Sequence, residues 1–183
     1  MRGGGSRLPR RSYYPPRFEP LAAVDYFLKL DGIDGESTDA KHKGELVLES
    51  FGWGVSQSGG ATGGGGGGGG GAGKAQFQDL VFVHRTSKAS PGLFLACVTG
   101  RHLKSAVLTA RKAGKPPLEF LTIKLGDVVV SSVQETGNVG EVPLETISLA
   151  FAKLEIAYRP QSATGKPAAE LKAGFDLKLN KPV

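Results

Sequence analysis

The segment that comes nearest to a chemical motif is a glycine run ending in a lysine. Residues 68–75 read GGGGAGKA, which satisfies the GxxxxGK spacing of a phosphate-binding loop up to its last position. That loop needs Ser or Thr after the lysine to hold magnesium, and it lies between a strand and a helix. Here Ala75 follows Lys74, and the next segment has strand character. The run therefore does not predict a nucleotide site, and we expect no cofactor.

Three histidines and one cysteine are the other side chains with catalytic or metal-binding chemistry. His42, His84 and His102 are far apart, with neither HxxxH spacing nor a CxxC partner, so we expect structural or surface positions and no metal. Cys97 lies in the apolar stretch LACV, which favours a buried, unreactive thiol. Because no acid–base pair and no GxSxG turn stand out, we expect no enzyme.

Positive charge is concentrated at the amino terminus. The chain has 183 residues and a formal net charge of +6. Residues 1–22 contain five arginines and one glutamate, a net +4, which leaves +2 for the rest. Glycine and proline dominate this segment, so we expect a disordered basic tail before a single domain at 23–183. The nearly neutral body argues against nucleic-acid binding. No apolar run predicts a membrane span or a signal peptide.

Alternating apolar residues predict a series of short strands in the domain. The predicted strands are Val24–Leu30, Glu45–Phe51, Phe77–His84, Leu118–Leu125, Val128–Gln134, Ile147–Tyr158 and Leu171–Leu179. Turns are expected at Asp31-Gly32, Ala113–Pro117, Gly126-Asp127 and Gly137–Pro143. The phase of alternation slips between Phe151 and Leu154, which indicates a bulge or bend. The glycine-rich segment 58–74 is expected to be a mobile loop.

One short helix is predicted after the third strand. Ser90 suits an N-cap, Pro91 the first helical position and Gly100 the helix stop. We expect Leu93, Phe94, Cys97 and Val98 to form its packing face. The next segment, His102–Arg111, fits strand and helix periodicity equally well. Many strands and one helix predict a mainly β fold, a compact antiparallel β-barrel or sandwich with a short flanking helix.

Several of these segments, in this order, resemble the Hcp family, the tube proteins of bacterial type VI secretion systems. The matching elements are SPGLFLAC, TGRH, LTARKAG and FLTIKLGDVVVSSVQ within residues 87–134, together with GES at 35–37, His42, FGWG at 51–54, FAKLEIAYRPQ at 151–161 and GFDLKLN at 174–180. The resemblance covers about residues 23–180, and it favours a strand at His102–Arg111.

The resemblance implies that the protein acts through its assembly surfaces and not through a set of catalytic residues. Members of the family form homohexameric rings of β-barrels, and the rings stack into a tube inside a contractile sheath, with a spike protein at the tip. Small effector proteins ride in the lumen. The resemblance thus implies synthesis in the bacterial cytoplasm and secretion by the machine itself, without a signal peptide. A phage-like tail tube subunit and a nucleic-acid-binding β-barrel module are the alternative functions.

The resemblance also suggests two sets of site residues. The glycine-rich loop is the candidate for contacts between stacked rings, represented by Gly63, Gly67, Gly71 and Lys74. The segment Phe51, Gly52 and Trp53 lies where the family places residues near the ring interior. The family pattern often has serine at the position of Gly52, so this substitution is expected to alter what that position contacts.

Overall fold

The computed structural model describes residues 23–57, 75–161 and 167–183, which form ten strands and one helix. The elements are β1 (Val24–Leu30), β2 (Leu46–Gly52), β3 (Val55–Gln57), β4 (Ala75–Phe77), β5 (Leu80–Arg85), α1 (Ser90–Thr99), β6 (His102–Lys112), β7 (Leu118–Thr136), β8 (Leu144–Tyr158), β9 (Leu171–Asp176) and β10 (Lys181–Pro182). The basic tail 1–22 and the glycine-rich loop 58–74 lie outside the described residues.

Six strands close into an antiparallel barrel. Their order is β8-β5-β2-β1-β6-β7, and pairing of β7 with β8 completes the circle. Closure pairs the backbone groups that an open sheet would leave at its edges. β9 and β10 extend the sheet outward from β8, and β3 and β4 form a separate hairpin. The predicted mainly β fold with one short helix is therefore confirmed as a barrel.

Side-chain alternation along the strands fills the barrel. Leu28, Phe82, Leu108 and Ile147 are almost completely buried, each at an inward-facing position of a different strand. α1 packs its Leu93 and Ala96 against the same core. The core therefore comes from the alternation that predicted the strands.

Several predicted elements have the predicted bounds. β1 spans Val24–Leu30 as expected, and β2 is displaced by one residue. The ambiguous segment after the helix is a strand, β6, because it pairs along its length with β7 and from Ala106 onward also with β1. Gly100 adopts a left-handed conformation, φ +61°, and ends the helix as predicted.

The turn predicted at Gly126-Asp127 is wrong. β7 is one strand of 19 residues that continues through this point, since Gly126 pairs with Ser105 of β6 and with Lys153 of β8. Asp127 has a positive φ of 52° within the strand. Gly126 and Val128 have ladder partners on both sides, so the strand continues across a locally left-handed Asp127 despite two residues that favour a turn.

Of the bulge or bend predicted between Phe151 and Leu154, the bulge is absent from the β7–β8 pairing, and the bend stays a prediction. Val128 pairs with Phe151 and Leu125 with Leu154, so the β7–β8 register is continuous there. The slip in apolar alternation coincides with the point where β8 stops pairing with β5 and begins to pair with β9. The register shift of this pair lies on β7, between Val130 and Ser132.

Two other strand predictions need correction. The single strand expected at Phe77–His84 is split into β4 and β5, because β4 pairs with β3 in a separate hairpin whereas β5 pairs with β2 and β8 in the barrel. The final strand ends at Asp176 rather than Leu179. The side chain of Asp176 accepts from the N–H of Leu179 and turns the chain into β10.

The helix differs from the prediction at its start and in its packing face. Ala89 is the N-cap, and the hydroxyl of Ser90 is used elsewhere, as described below. Leu93 is buried as expected, whereas Phe94 and Val98 are exposed, and Cys97 is half-buried rather than enclosed. Because apolar residues lie all around α1, periodicity placed the packing face correctly at Leu93 and Cys97 but wrongly at Phe94 and Val98.

Candidate assembly surfaces

The segment predicted to face a ring interior divides between the core and the surface. Phe51 and Trp53 are partly buried and pack against the core, and the Phe51 ring meets Tyr26 edge to face at 5.2 Å. Gly52 between them is exposed. A Cβ at Gly52 would have no neighbour within 4 Å, so this position has open space in front of it. Of the three residues, Gly52 is the one that lies exposed on the outward side of the sheet.

The outward face around Gly52 is uncharged. Cross-strand pairing places Gly52 beside Val81 of β5 and Val81 beside Ser148 of β8. The next row joins Ser50, Val83 and Thr146 in the same way. Because alternate residues of a strand share a face, these six residues form one outward surface, which we call the Gly52 face. Sequence reasoning found Gly52 but not its neighbours on β5 and β8.

The glycine-rich loop begins and ends on a fixed hairpin. Gln57 pairs with Ala75, and Val55 with Phe77. The Phe77 ring stacks on Phe175 of β9 at 5.7 Å. It also meets Phe151 of β8 edge to face at 6.2 Å. The loop candidates Gly63, Gly67, Gly71 and Lys74 lie outside the described residues. The structure describes the β3–β4 hairpin, to which both ends of their segment are attached.

His42 takes part in a stacked arrangement on the outer side of β1. The imidazole stacks on the ring of Phe27 with centroids 4.2 Å apart and planes 8° from parallel. The Arg111 guanidinium also lies over the Phe27 ring, at 4.7 Å. The same guanidinium forms ion pairs with Asp39 at 2.8 Å and with Asp25 at 3.0 Å. These contacts cover an aromatic ring that would otherwise face solvent.

Asp39 has the most perturbed carboxyl of this cluster. Its Oδ1 accepts hydrogen bonds from the N–H groups of Lys41 and His42, at 2.9 and 3.2 Å. The Lys41 N–H and the Arg111 guanidinium, in that order, lower the pKa of Asp39 to about 2. The chain around 39–42 is thereby tied to β6. His42 and Arg111 fall in segments that resemble the Hcp pattern, and their contacts give those positions a structural role.

A second polar cluster lies beneath α1. His84 is 2% exposed, and its Nε2 is 2.9 Å from Oε2 of Glu145, which is also buried. The Ser90 hydroxyl donates to the same oxygen at 2.6 Å and accepts from the N–H of Ser87. Burial lowers the pKa of His84, and the nearby Glu145 carboxylate partly opposes this effect. This cluster joins α1 to β5 and β8. Sequence reasoning placed neither Glu145 nor the Ser90 hydroxyl here.

His102 belongs to an exposed cluster around Asp127. Its Nδ1 is 2.7 Å from Oδ1 of Asp127, and Lys178 binds the other carboxylate oxygen. Lys178, followed by His102, lowers the pKa of Asp127. The three sequence-predicted histidines are thus separate in the fold, each beside its own carboxylate. Within residues 23–57, 75–161 and 167–183, no group of three or more His, Cys, Asp or Glu is arranged to bind a metal.

The described part of the chain therefore forms a small closed antiparallel β-barrel with a short flanking helix. It contains no helix with the length and hydropathy needed to cross a membrane. Residues 27–158 match the family model described as "Type VI secretion system effector, Hcp". The chain belongs to the Hcp family, the tube subunits of type VI secretion systems.

Individual relatives agree with this assignment. Protein hcp1 of Pseudomonas aeruginosa is 43% identical over 161 residues, covering 86% of this chain and 98% of that protein. The crystal structure of Hcp1 from Salmonella typhimurium is 36% identical, with a TM-score of 0.72 over 88% of this chain and 99% of the other. A structure described as a type six secretion system protein reaches a TM-score of 0.82 at 32% identity, over 88% and 100%.

Proposed function

We propose that six copies of this chain close into a ring and that the rings stack into the tube of a type VI secretion machine. The main support is the closed six-stranded barrel of a chain that resembles the structure of a type six secretion system protein with a TM-score of 0.82 and Hcp1 from Salmonella typhimurium with one of 0.72. The family membership favours this function over a phage tail tube and over a nucleic-acid-binding module. A tube subunit acts by assembly and needs no catalytic group of its own.

The tube in this proposal has the partners of a contractile injection machine. A sheath surrounds it, a spike lies at its tip, and small effector proteins travel in its lumen. The subunit is made in the bacterial cytoplasm and leaves the cell with the tube. A ring of identical subunits requires two unlike, complementary surfaces on each barrel, because every subunit contacts its two neighbours differently.

The Gly52 face is the proposed lumen wall. Its six residues face outward and carry no charge, and Gly52 leaves room above the sheet that a larger side chain would fill. An uncharged wall with small side chains suits a passage for proteins of different surface charge. The Phe51 and Trp53 side chains support this wall from the core side instead of lining it.

The glycine-rich loop is the proposed contact between stacked rings. Its β3–β4 base is held by Phe77 against β8 and β9, so the loop leaves every subunit at the same place. Deletion of the nine glycines 63–71 should leave single rings intact and weaken their stacking. Replacement of the same nine residues by a Gly/Ser sequence of equal length is the control. Normal tubes from the deletion variant would contradict this part of the proposal.

Size-exclusion chromatography with light scattering, at low and high salt, tests the ring. The expected species has a mass of about 115 kDa, six times the 19.1 kDa of one chain. Negative-stain microscopy of that fraction should show rings with a central hole. A monomer at both salt concentrations and at high protein concentration would overturn the proposed assembly while leaving the family and the fold intact.

A further inference from the structure

The outward side of α1 carries a second apolar stripe, opposite the one that packs on the barrel. None of the ten residues of α1, SPGLFLACVT, is charged. Leu93 and Ala96 face the core, and the remaining large apolar residues follow the i, i+3, i+4, i+7 spacing of one helix face: Pro91, Phe94, Leu95 and Val98. A helix that is apolar on both sides is typical of a buried helix.

This outer stripe is nevertheless exposed in the single chain. Phe94, Leu95 and Val98 are 58%, 56% and 61% exposed. Single exposed apolar residues are ordinary on protein surfaces. Three large ones on the same face of one helix, with no charge between them, are not, and such contiguous patches mark interaction sites.

A groove runs along each side of the helix. Between α1 and β7 lies a cavity of about 340 Å³, lined by Pro91, Phe94 and Val133. On the other side lies one of about 270 Å³, lined by Ile33 and Leu95. The outer stripe is therefore a ridge between two partly apolar grooves, a shape suited to packing of one polypeptide ridge into the groove of another.

We propose that this ridge, with its two grooves, is a contact surface between copies of this chain; the inference rests on the proposed ring and tube. A second copy supplies both a ridge to fill a groove and a groove to receive a ridge. The groove between α1 and β7 is bordered by Glu135 and Glu145 and, among the residues that the structure describes, by no basic residue, whereas the other groove has Lys88 and Arg101 against Asp34. The excess charges of the two grooves thus have opposite signs, so a second copy can place one groove against the other with complementary charge.

Three serine variants, Phe94→Ser, Leu95→Ser and Val98→Ser, test the ridge one side chain at a time. The control is Val139→Ser, in the β7–β8 turn, where the valine is fully exposed and lines neither groove. Sedimentation over a dilution series should show association weakened about tenfold or more by at least one α1 variant, as for the central residues of an interface. The control should assemble like the wild type.

The readouts separate this inference from the proposed ring. Loss of rings, or loss of ring stacks with rings retained, in folded α1 variants supports the contact between copies. Circular dichroism establishes folding, and because the three residues are exposed, at least one variant is expected to fold normally. Wild-type rings and stacks from all folded α1 variants would overturn the inference and leave the ring proposal standing. If these variants form normal rings and stacks but no longer bind a purified sheath or effector protein, the ridge is the site for that partner. That result would also overturn the proposed contact between copies. A monomeric wild type would instead overturn the ring.

Discussion

The imidazole of His42 lies flat on the ring of Phe27, with centroids 4.2 Å apart and planes within 8° of parallel. Phe27 is 4% exposed although it belongs to the outward side of β1, because His42 and Arg111 both cover its ring. The contact joins a loop residue to the barrel wall. Because of these contacts, the Phe27 ring is buried in a small second core on the outside of the barrel instead of being exposed to solvent.

Arg111 holds this outer core together. Arg111→Ala should lower the free energy of unfolding by about 2 kcal/mol, since it removes packing on Phe27 and leaves two carboxylates without their partner. Urea denaturation measures the change. Arg85→Ala is the matched control, because Arg85 makes a comparable pair with Glu49 at the surface. Equal losses in the two variants would contradict the role assigned to Arg111.

Asp39 should contribute an acid-sensitive part of the stability. Its pKa falls from 3.8 to about 2 in the folded chain, so the ionised carboxylate stabilises the fold at pH values above 3.8. That contribution is lost as the pH falls through the interval towards about 2, because the unfolded chain takes up the proton first. Chemical unfolding followed from neutral to acidic pH should show a smaller acid loss in Asp39→Asn than in the wild type. Parallel pH profiles of the two proteins would refute the assignment.

His84 should act at a higher pH, and here the folded chain favours the neutral form of the side chain instead of the charged one. Because burial lowers its pKa below the ordinary 6.5, the unfolded chain binds a proton there before the folded chain does. The free energy of unfolding should therefore decrease as the pH falls below 6.5. His84→Gln removes this titration and should flatten the profile between about pH 6.5 and 4.5, where Asp39 does not yet titrate. An unchanged slope in the variant would rule out His84 as its source.

Two glycines provide a contrast between a required and a replaceable position. A Cβ at Gly35 would lie 2.3 Å from the backbone oxygen of Glu45, so Gly35→Ala should cost about 2 kcal/mol or more by forcing the two segments apart. Gly52→Ala meets no atom within 4 Å and should change stability by less than about 1 kcal/mol, in the stabilising direction. Thermal unfolding of both variants gives the comparison. A similar melting temperature for the two would contradict it.

Gly52 also offers a test of the lumen wall. Gly52→Arg places a long charged side chain on the Gly52 face without a clash at its base. Rings of unchanged size should form, and fewer effector proteins should co-purify with them from the native bacterium. Lys29→Arg, on an exposed position of β1, controls for the added guanidinium. Full retention of the co-purifying proteins would argue against this face as the wall.

The amino-acid sequence by itself determined the family, the barrel class and most strand positions. Alternation along β1 and β2 is a local signal, because a half-buried strand exposes every second residue to the core. The glycine at position 100 likewise ends α1 for a local reason, the left-handed backbone conformation that glycine adopts without strain. Ordered motifs from 87 to 134 carried the family resemblance, which also resolved the ambiguous strand β6.

The tertiary structure decided which faces and partners these elements have. Arg111 meets Asp39 across 72 residues of chain, and Glu145 meets Ser90 across 55, pairings that no local pattern specifies. The partners of Gly126 and Val128 on both sides carried β7 past Gly126-Asp127, overriding a local preference for a turn. The inward face of α1 was settled in the same way. A helix with apolar residues all around it has no periodic signal that selects one side, so the barrel surface beneath Leu93 made the choice.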